Sequence, residues 1–274
     1  MTIPLHLIDA FTSTPFAGNP AGVCYLETPQ PEAWLQAVAR ELQQAETAFL
    51  TPRQDGFGLR WFTPTVEVDL CGHATLGSAH FLWSSGRLAP GAVARFHTRS
   101  GLLTATRAGS WITLDFPATP ATSSPVPAEL FPALGLAPVP LLRSKFDYLV
   151  VLEDAAALTA LRPDLGRLAR VESRGVIVTT PSDREGVDFL SRFFAPAVGV
   201  DEDPVTGSAH CALAPYWAAR LGRPALTGYQ ASARGGIVRV EHSGERVRLS
   251  GEAVTVLEGS LSAAGNSPGR NTPG

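Results

Sequence analysis

The feature that most limits what this chain can fold into is a segment that it contains twice. Residues 60–69 read Arg60-Trp61-Phe62-Thr63-Pro64-Thr65-Val66-Glu67-Val68-Asp69, and residues 192–201 read Arg192-Phe193-Phe194-Ala195-Pro196-Ala197-Val198-Gly199-Val200-Asp201. Arg, Phe, Pro, Val, Val and Asp recur at identical offsets. Each copy then runs through a glycine turn into a helix rich in small residues, Gly72-His73-Ala74-Thr75 in the first and Gly207-Ser208-Ala209-His210 in the second, with extra loop residues in the later copy. A duplicated unit implies two similar halves whose corresponding elements face each other. Two helix N-termini aimed into one cleft would clamp a small acid, because first-turn N–H groups and the positive end of the dipole favour an anion. Taken alone, these residues also allow a plainer reading. Asp and Ser before a helix commonly cap it, and Asp201-Glu202-Asp203 is then a solvated acidic loop.

The rest of the chain repeats one order of parts. Strands are expected at Leu5–Phe11, Gly22–Leu26, Glu46–Leu50 and Leu59–Phe62, with a helix from Pro31 whose apolar positions Trp34, Leu35, Val38, Ala39 and Leu42 follow the 3.6 period. A helix over 74–84 and strands near 93–98, 102–106 and 111–116 complete a first half. Residues 117–127 are rich in Pro, Ser, Thr and Ala and mark a boundary. We therefore expect an N-terminal half over 1–117, a C-terminal half over 118–256, a last strand near 257–263 that returns to the first half, and a flexible tail over 266–274. The second half has a short helix near 127–130, a helical region over 155–170 interrupted by Pro163, and strands near 148–152, 175–180, 188–194, 226–231, 236–241 and 246–250. This order predicts an α+β fold in which each half is a mostly antiparallel sheet around one buried helix.

Composition excludes several function classes. Apolar residues make up 45% of the 274-residue chain, enough for a core, and the net charge of −3 with no basic run argues against nucleic acid or an anionic membrane surface as partner. No apolar stretch of membrane-spanning length occurs, and the start lacks a secretory pattern. Cys24, Cys71 and Cys211 are an odd number without metal-ligand spacing, which predicts reduced thiols in a cytoplasmic protein and no bound metal. No GxGxxG or P-loop is present, so no nucleotide cofactor is expected.

Four motifs in order carry a resemblance: Phe16-Ala17-Gly18-Asn19-Pro20-Ala21-Gly22-Val23, Ala45-Glu46-Thr47-Ala48-Phe49, Cys71-Gly72-His73-Ala74-Thr75 and Asp203-Pro204-Val205-Thr206-Gly207-Ser208-Ala209. Together they resemble the phenazine biosynthesis PhzF-like isomerases, which share the diaminopimelate epimerase-like fold, over essentially the whole chain before the tail. The resemblance implies two pseudo-symmetric domains, a cofactor-free site in the cleft between them, and a homodimer. It implies a proton moved within a small unsaturated or activated carboxylic acid, with Glu46 as acid–base group, His73 and Asp203 as active-site partners, and Ser208 contacting substrate.

The residues support this unevenly. Glu46 sits at the start of an apolar strand, where desolvation would raise its pKa toward the range useful for proton transfer, although a surface Glu at a strand start reads the same way. His73, at a helix entrance, can orient a carboxylate or cap its own helix. Gly72 and Gly207 let backbone approach a ligand closely. Asn19 either touches substrate or holds the Gly18-Asn19-Pro20 turn, and the turn is slightly favoured. Asp201 and Glu202 are left as loop acids, and His80 and His210 as packing residues. Relatives with this fold racemise amino acids with two cysteines facing across the cleft. Here the first motif offers Cys71 but the second has Thr206-Gly207-Ser208, and one thiol cannot perform a two-base inversion, so Cys71 reads as structural. An amino-acid epimerase and a non-catalytic binder of small acids remain the alternatives.

Overall fold

A computed structural model describes residues 2–262 of the chain. The first half runs β1 (Thr2–Ala10), β2 (Asn19–Tyr25), α1 (Glu32–Leu42), β3 (Glu46–Arg53), β4 (Gly56–Phe62), β5 (Glu67–Val68), α2 (Gly72–Ser84), β6 (Ala94–Thr98), β7 (Gly101–Ala108) and β8 (Trp111–Pro117). The second runs β9 (Thr122–Ser123), α3 (Leu130–Leu134), β10 (Leu141–Arg143), β11 (Asp147–Val151), α4 (Ala155–Ala160), α5 (Leu165–Leu168), β12 (Gly175–Pro181) and β13 (Phe189–Phe194). A 3-10 turn (Pro196–Val198), α6 (Gly207–Leu221), β14 (Ala225–Gln230), β15 (Gly236–Ser243), β16 (Arg246–Gly251) and β17 (Ala253–Ser262) follow.

The duplication seen in ten residues extends to the strand pairing. In the first half β1–β2 is antiparallel, β2–β3 parallel, β3–β4 antiparallel, β4–β6 parallel, and β6–β7 and β7–β8 antiparallel. The second half repeats this sequence of senses through β10, β11, β12, β13, β14, β15 and β16. Each parallel step needs a crossover, and helices supply it: α1 and α2 in the first half, the α4–α5 pair and α6 in the second. The halves join where β8 pairs antiparallel with β16. They also exchange outer strands, since β9 follows the first half but pairs with β10, and β17 follows the second but pairs with β1 along its length. The last strand thus returns to the first half. The last strand, expected near 257–263, starts earlier, at Ala253. The tail expected at 266–274 lies outside the described residues.

The two motif helices are the cores of their halves. In α2 the residues from His73 to Ala79 are all buried, as are Phe81, Leu82 and Trp83, and α6 buries Ala209 to Ala214 and Trp217. Helices apolar on all sides belong inside, and their small residues let strands pack close. A Cβ placed on Gly77 would meet Ile8 and Ala21 at ordinary contact distance. Trp217 stacks on Phe189 with centroids 5.7 Å apart and donates its indole N–H to Thr179 Oγ1 at 3.0 Å. Large side chains buried here contribute about 1.5–3 kcal/mol each. The helical region expected over 155–170 is two short helices, because Pro163 stops the first and Asp164 caps the second through the Arg167 N–H.

Candidate active site

The N-termini of α2 and α6 meet. A Cβ built on Gly207 would sit 3.6 Å from the Gly72 Cα, and one built on Gly72 would sit 3.6 Å from the Gly207 Cα. Cys71 and Thr206 occupy matching N-cap positions, both with extended backbone, and neither side chain caps its helix. First-turn N–H groups have no intrahelical acceptor, so both helices present donors and positive dipole ends to one place. Ser208, half-buried, is the second residue of α6.

Glu46 opens β3 beside β2, paired with Ala21, and Thr47 to Leu50 behind it are buried. Its side chain is 21% exposed and its Oε2 lies 3.3 Å from His73 Nε2. Burial, and then the negative charge of Asp203, push Glu46 up to about 7, while a contact from the Cys71 thiol acts the other way. Burial takes His73 down to about 4, so its imidazole is neutral near pH 7. The pair is therefore a carboxyl in close approach to a neutral imidazole, with the carboxyl poised between its two forms. Cys71 Sγ lies 3.5 Å from His73 Nδ1, and burial raises its thiol well above the usual range.

Asp203 faces this pair from the other half. Thr206 Oγ1 donates to its Oδ2 at 2.5 Å and Asn19 Nδ2 to its Oδ1 at 2.8 Å. Burial raises Asp203 to about 6 against the pull of these two hydrogen bonds. Asn19 Nδ2 also donates to the Val205 carbonyl at 2.9 Å. The slight preference for Asn19 as a turn holder is thus corrected: its side chain spans the two halves. The turn is made by Gly18, whose φ is +64° and where a Cβ would lie 2.2 Å from the Ala10 carbonyl oxygen.

Three residues that build the site were missed in the sequence. Gln230, fully buried at the end of β14, donates to the Asp203 carbonyl at 2.7 Å and to Thr206 Oγ1 at 3.1 Å, and accepts from the Thr206 N–H at 2.9 Å. The signal was there: Leu226, Gly228 and Gln230 alternate inward, so a polar side chain falls on a core-facing position. Arg234 donates to the Ala17 and Gly18 carbonyls and to Asp9 Oδ1, and Asp9 Oδ2 accepts from the Phe16 N–H at 2.7 Å. Arg234 and buried Asp9 together fix the loop that carries Asn19. Reading Glu202 as a solvated loop acid is also corrected. It accepts both forks of Arg192 at 2.7 and 2.8 Å, as Glu67 does for Arg60 at 2.7 and 2.6 Å. The repeated Arg does the same job in both copies with an acid from a different offset. Asp201 is exposed. His80 meets Thr255 Oγ1, and His210 meets the Thr206 carbonyl, each on or beside its helix.

A solvent-open hollow of about 470 Å³ lies elsewhere, against Trp111, Tyr229, Arg234 and Arg239. Its lining includes none of Glu46, His73 and Asp203, so it is not where these groups act.

A family model described as phenazine biosynthesis-like protein, PhzC-PhzF, matches residues 8–259. The chain belongs to this family. A protein of Halalkalibacterium halodurans, described as an uncharacterized isomerase, is 49% identical over 262 residues, covering 95% of this chain and 99% of that one. A crystal structure of a PhzF family protein from Enterococcus faecalis superposes with a TM-score of 0.91 at 39% identity, covering 95% of this chain and 99% of the other. A predicted epimerase of Pseudomonas aeruginosa shares the fold at 23% identity, with a TM-score of 0.75. Among the described residues no helix is long and apolar enough to cross a membrane.

Proposed function

We propose that this PhzF-family isomerase shifts a proton within a small carboxylic-acid metabolite, with Glu46 as the group that takes the proton from carbon and returns it elsewhere on the same molecule. The observation that carries this reading is the Glu46 carboxyl, held near 7 beside a neutral imidazole where two helix N-termini meet. A general acid–base group works best with its pKa near the working pH, because it must both accept and give the proton. The first-turn N–H groups of α2 and α6, with Ser208, bind the substrate carboxylate across Gly72 and Gly207. His73 orients Glu46 through the close approach of its Nε2 to the carboxyl. Asp203, oriented by Thr206 and Asn19, faces the substrate from the second half. All of these steps are proton transfers, so the reaction as proposed needs no redox group and no cofactor.

An epimerase built on two opposed thiols is the weaker reading. Cys71 and Thr206 are the matching N-caps, so the second position offers a hydroxyl, and Cys211 points its Sγ back at the Gly207 carbonyl 3.6 Å away. A homodimer remains part of the proposal on family grounds, and a cytoplasmic location on the three unpaired cysteines. The test is a crystal structure after incubation with a cell's pool of small acids. The account expects a carboxylate against the N-termini of α2 and α6, with Glu46 within hydrogen-bond reach of a C–H carbon. A ligand bound in the hollow by Trp111 and Arg239, with the Glu46 cleft empty, would count against it.

A further inference from the structure

The duplication matches positions as well as strands, and where the first half has Glu46 the second half is built differently. Ala48 pairs with Trp61 and Glu46 with Ala21 in the first half, and Ile177 pairs with Phe193 and Gly175 with Asp147 in the second. Trp61 and Phe193 hold the same position in the repeated segment, so Gly175 stands where Glu46 does and Asp147 where Ala21 does. A Cβ on Gly175 would collide with the Phe193 ring, which has taken the room of a side chain. Asp147 is a buried acid in place of a buried alanine. A buried carboxylate needs a partner, and Arg174 supplies it, donating from Nε to Oδ1 at 2.8 Å and from Nη2 to Oδ2 at 2.5 Å.

Arg174 stands at the second-half wall of the site. Its guanidinium carbon lies 5.6 Å from the centre of the Phe193 ring and 4.9 Å from that of Phe146, and the Phe193 carbonyl accepts the Asp203 N–H at 3.0 Å. Burial raises Asp203 to about 6 and the Cys211 thiol to about 12, and the Arg174 charge works against both. Asp147 occupies two of the guanidinium nitrogens. Among the described residues the third, Nη1, has no hydrogen-bond partner, and the side chain is 35% exposed, so a ligand can reach it. Lys145 Nζ lies 5.1 Å from the centre of the same Phe146 ring and has no acidic partner among the described residues. Asp147, Arg174 and Lys145 together therefore leave one positive charge uncompensated. We propose that Arg174 selects the substrate by binding a second carboxylate of the same small acid, so that the protein acts on a dicarboxylic acid. This rests on the reading that the N-termini of α2 and α6 hold the first carboxylate. The guanidinium suits the task, because its planar fork matches a carboxylate and Asp147 already fixes its orientation.

The test is calorimetric titration of the wild-type protein with matched probe acids: propionate and succinate, butyrate and glutarate, benzoate and isophthalate. In at least one pair the dicarboxylate should bind about 10–100-fold more tightly, the range for a hydrogen bond to a charged group. A double variant, Asp147→Ala with Arg174→Gln, removes the buried acid together with its partner and restores the alanine that the first half has at this position. It should bind both members of that pair alike, at the wild-type affinity for the monocarboxylate. Asp147→Ala alone keeps Arg174 and should keep most of the preference. Losing the preference as completely as the double variant would make the effect structural and overturn the proposal. Equal binding within every pair by the wild-type protein, or a preference that survives in the double variant, overturns the role of Arg174 and leaves the first carboxylate on the helix N-termini. No binding of any of these acids by the wild-type protein counts against that first carboxylate, and selection by Arg174 falls with it. If the double variant does not fold, a crystal structure of the wild-type protein with the preferred dicarboxylate decides. One carboxylate within hydrogen-bond distance of Arg174 Nη1 is expected, and both carboxylates elsewhere would overturn the proposal.

Discussion

Glu46 carries the account because two causes, burial and the nearby Asp203 charge, raise its proton affinity to the middle of the physiological range. Glu46→Gln keeps shape and hydrogen bonding but cannot take and return a proton. Its turnover should fall about 10²–10⁴-fold, roughly 3–5 kcal/mol of transition-state stabilisation, with ligand affinity kept or improved. Cys71→Ala should cost far less turnover. Equal losses in the two variants would revive a thiol mechanism. The pH profile gives a second check. If proton removal limits the rate, kcat/KM should rise with pH through a midpoint near 7 as Glu46 becomes a base. Asp203→Asn should move that midpoint down, since it removes one of the charges holding it up. The two carboxyls interact, so the midpoints belong to the pair. A midpoint that stays put in Asp203→Asn would separate Asp203 from Glu46. At this scale the sequence displayed the residue types, and the apolar run after Glu46 displayed its desolvation. The contact with His73 and the hydrogen bonds on Asp203 depend on residues far apart in the chain, and no local pattern contains them.

The elements explain why the site is rigid. The N-cap of α6 is held from β14 by Gln230, which makes three hydrogen bonds to Asp203 and Thr206. Gln230→Ala should cost about 1–3 kcal/mol in thermal unfolding, because it leaves buried polar groups unpaired. It should also lower kcat more than it raises KM, since Asp203 and Thr206 lose their orientation. A variant that loses stability with kcat unchanged would make Gln230 a packing residue only. Gly72 and Gly207 test the other half of the argument. A Cβ at either makes only ordinary contacts with the protein, so Gly72→Ala and Gly207→Ala should fold. Ligand affinity should nevertheless fall, because the new methyl stands where the carboxylate approaches backbone. Unchanged affinity in both would remove the helix N-termini from binding. Most strands and both central helices were legible, because alternation and helical period act over neighbouring residues. Short pieces such as β5, β9 and β10 were not. They are strands only because a partner strand lies beside them.

At the scale of the whole molecule, ten matching residues pointed to two similar halves, while the repeated order of strand senses and the seam at β8 and β16 are visible only in the structure. The exchange of β9 and β17 between halves was legible only as a returning last strand, because pairing across so many residues leaves no local mark. Burying Glu46 and Asp203 has a cost in stability. Glu46 goes from 4.5 to about 7 and Asp203 from 3.8 to about 6 on folding, so the folded state holds these protons more tightly than the unfolded one. Their contribution to stability is therefore greatest in acid, is lost as pH rises from about 4 to about 7, and stays lost above. Glu46→Gln should remove part of that slope and be more stable than wild type at pH 8 by about 1–3 kcal/mol, read as a higher Tm. Parallel Tm–pH curves for the two proteins would contradict the burial of this charge.

The most direct test is isotope exchange. Wild-type protein and Glu46→Gln are incubated side by side in D₂O with a pool of small carboxylic acids, and deuterium uptake into carbon positions is read by mass spectrometry. The account predicts one acid that gains deuterium with the wild-type protein, gains it about 10²–10⁴-fold more slowly with Glu46→Gln, and stays bound by both. Equal deuterium uptake with the two proteins would show that Glu46 does not carry the proton.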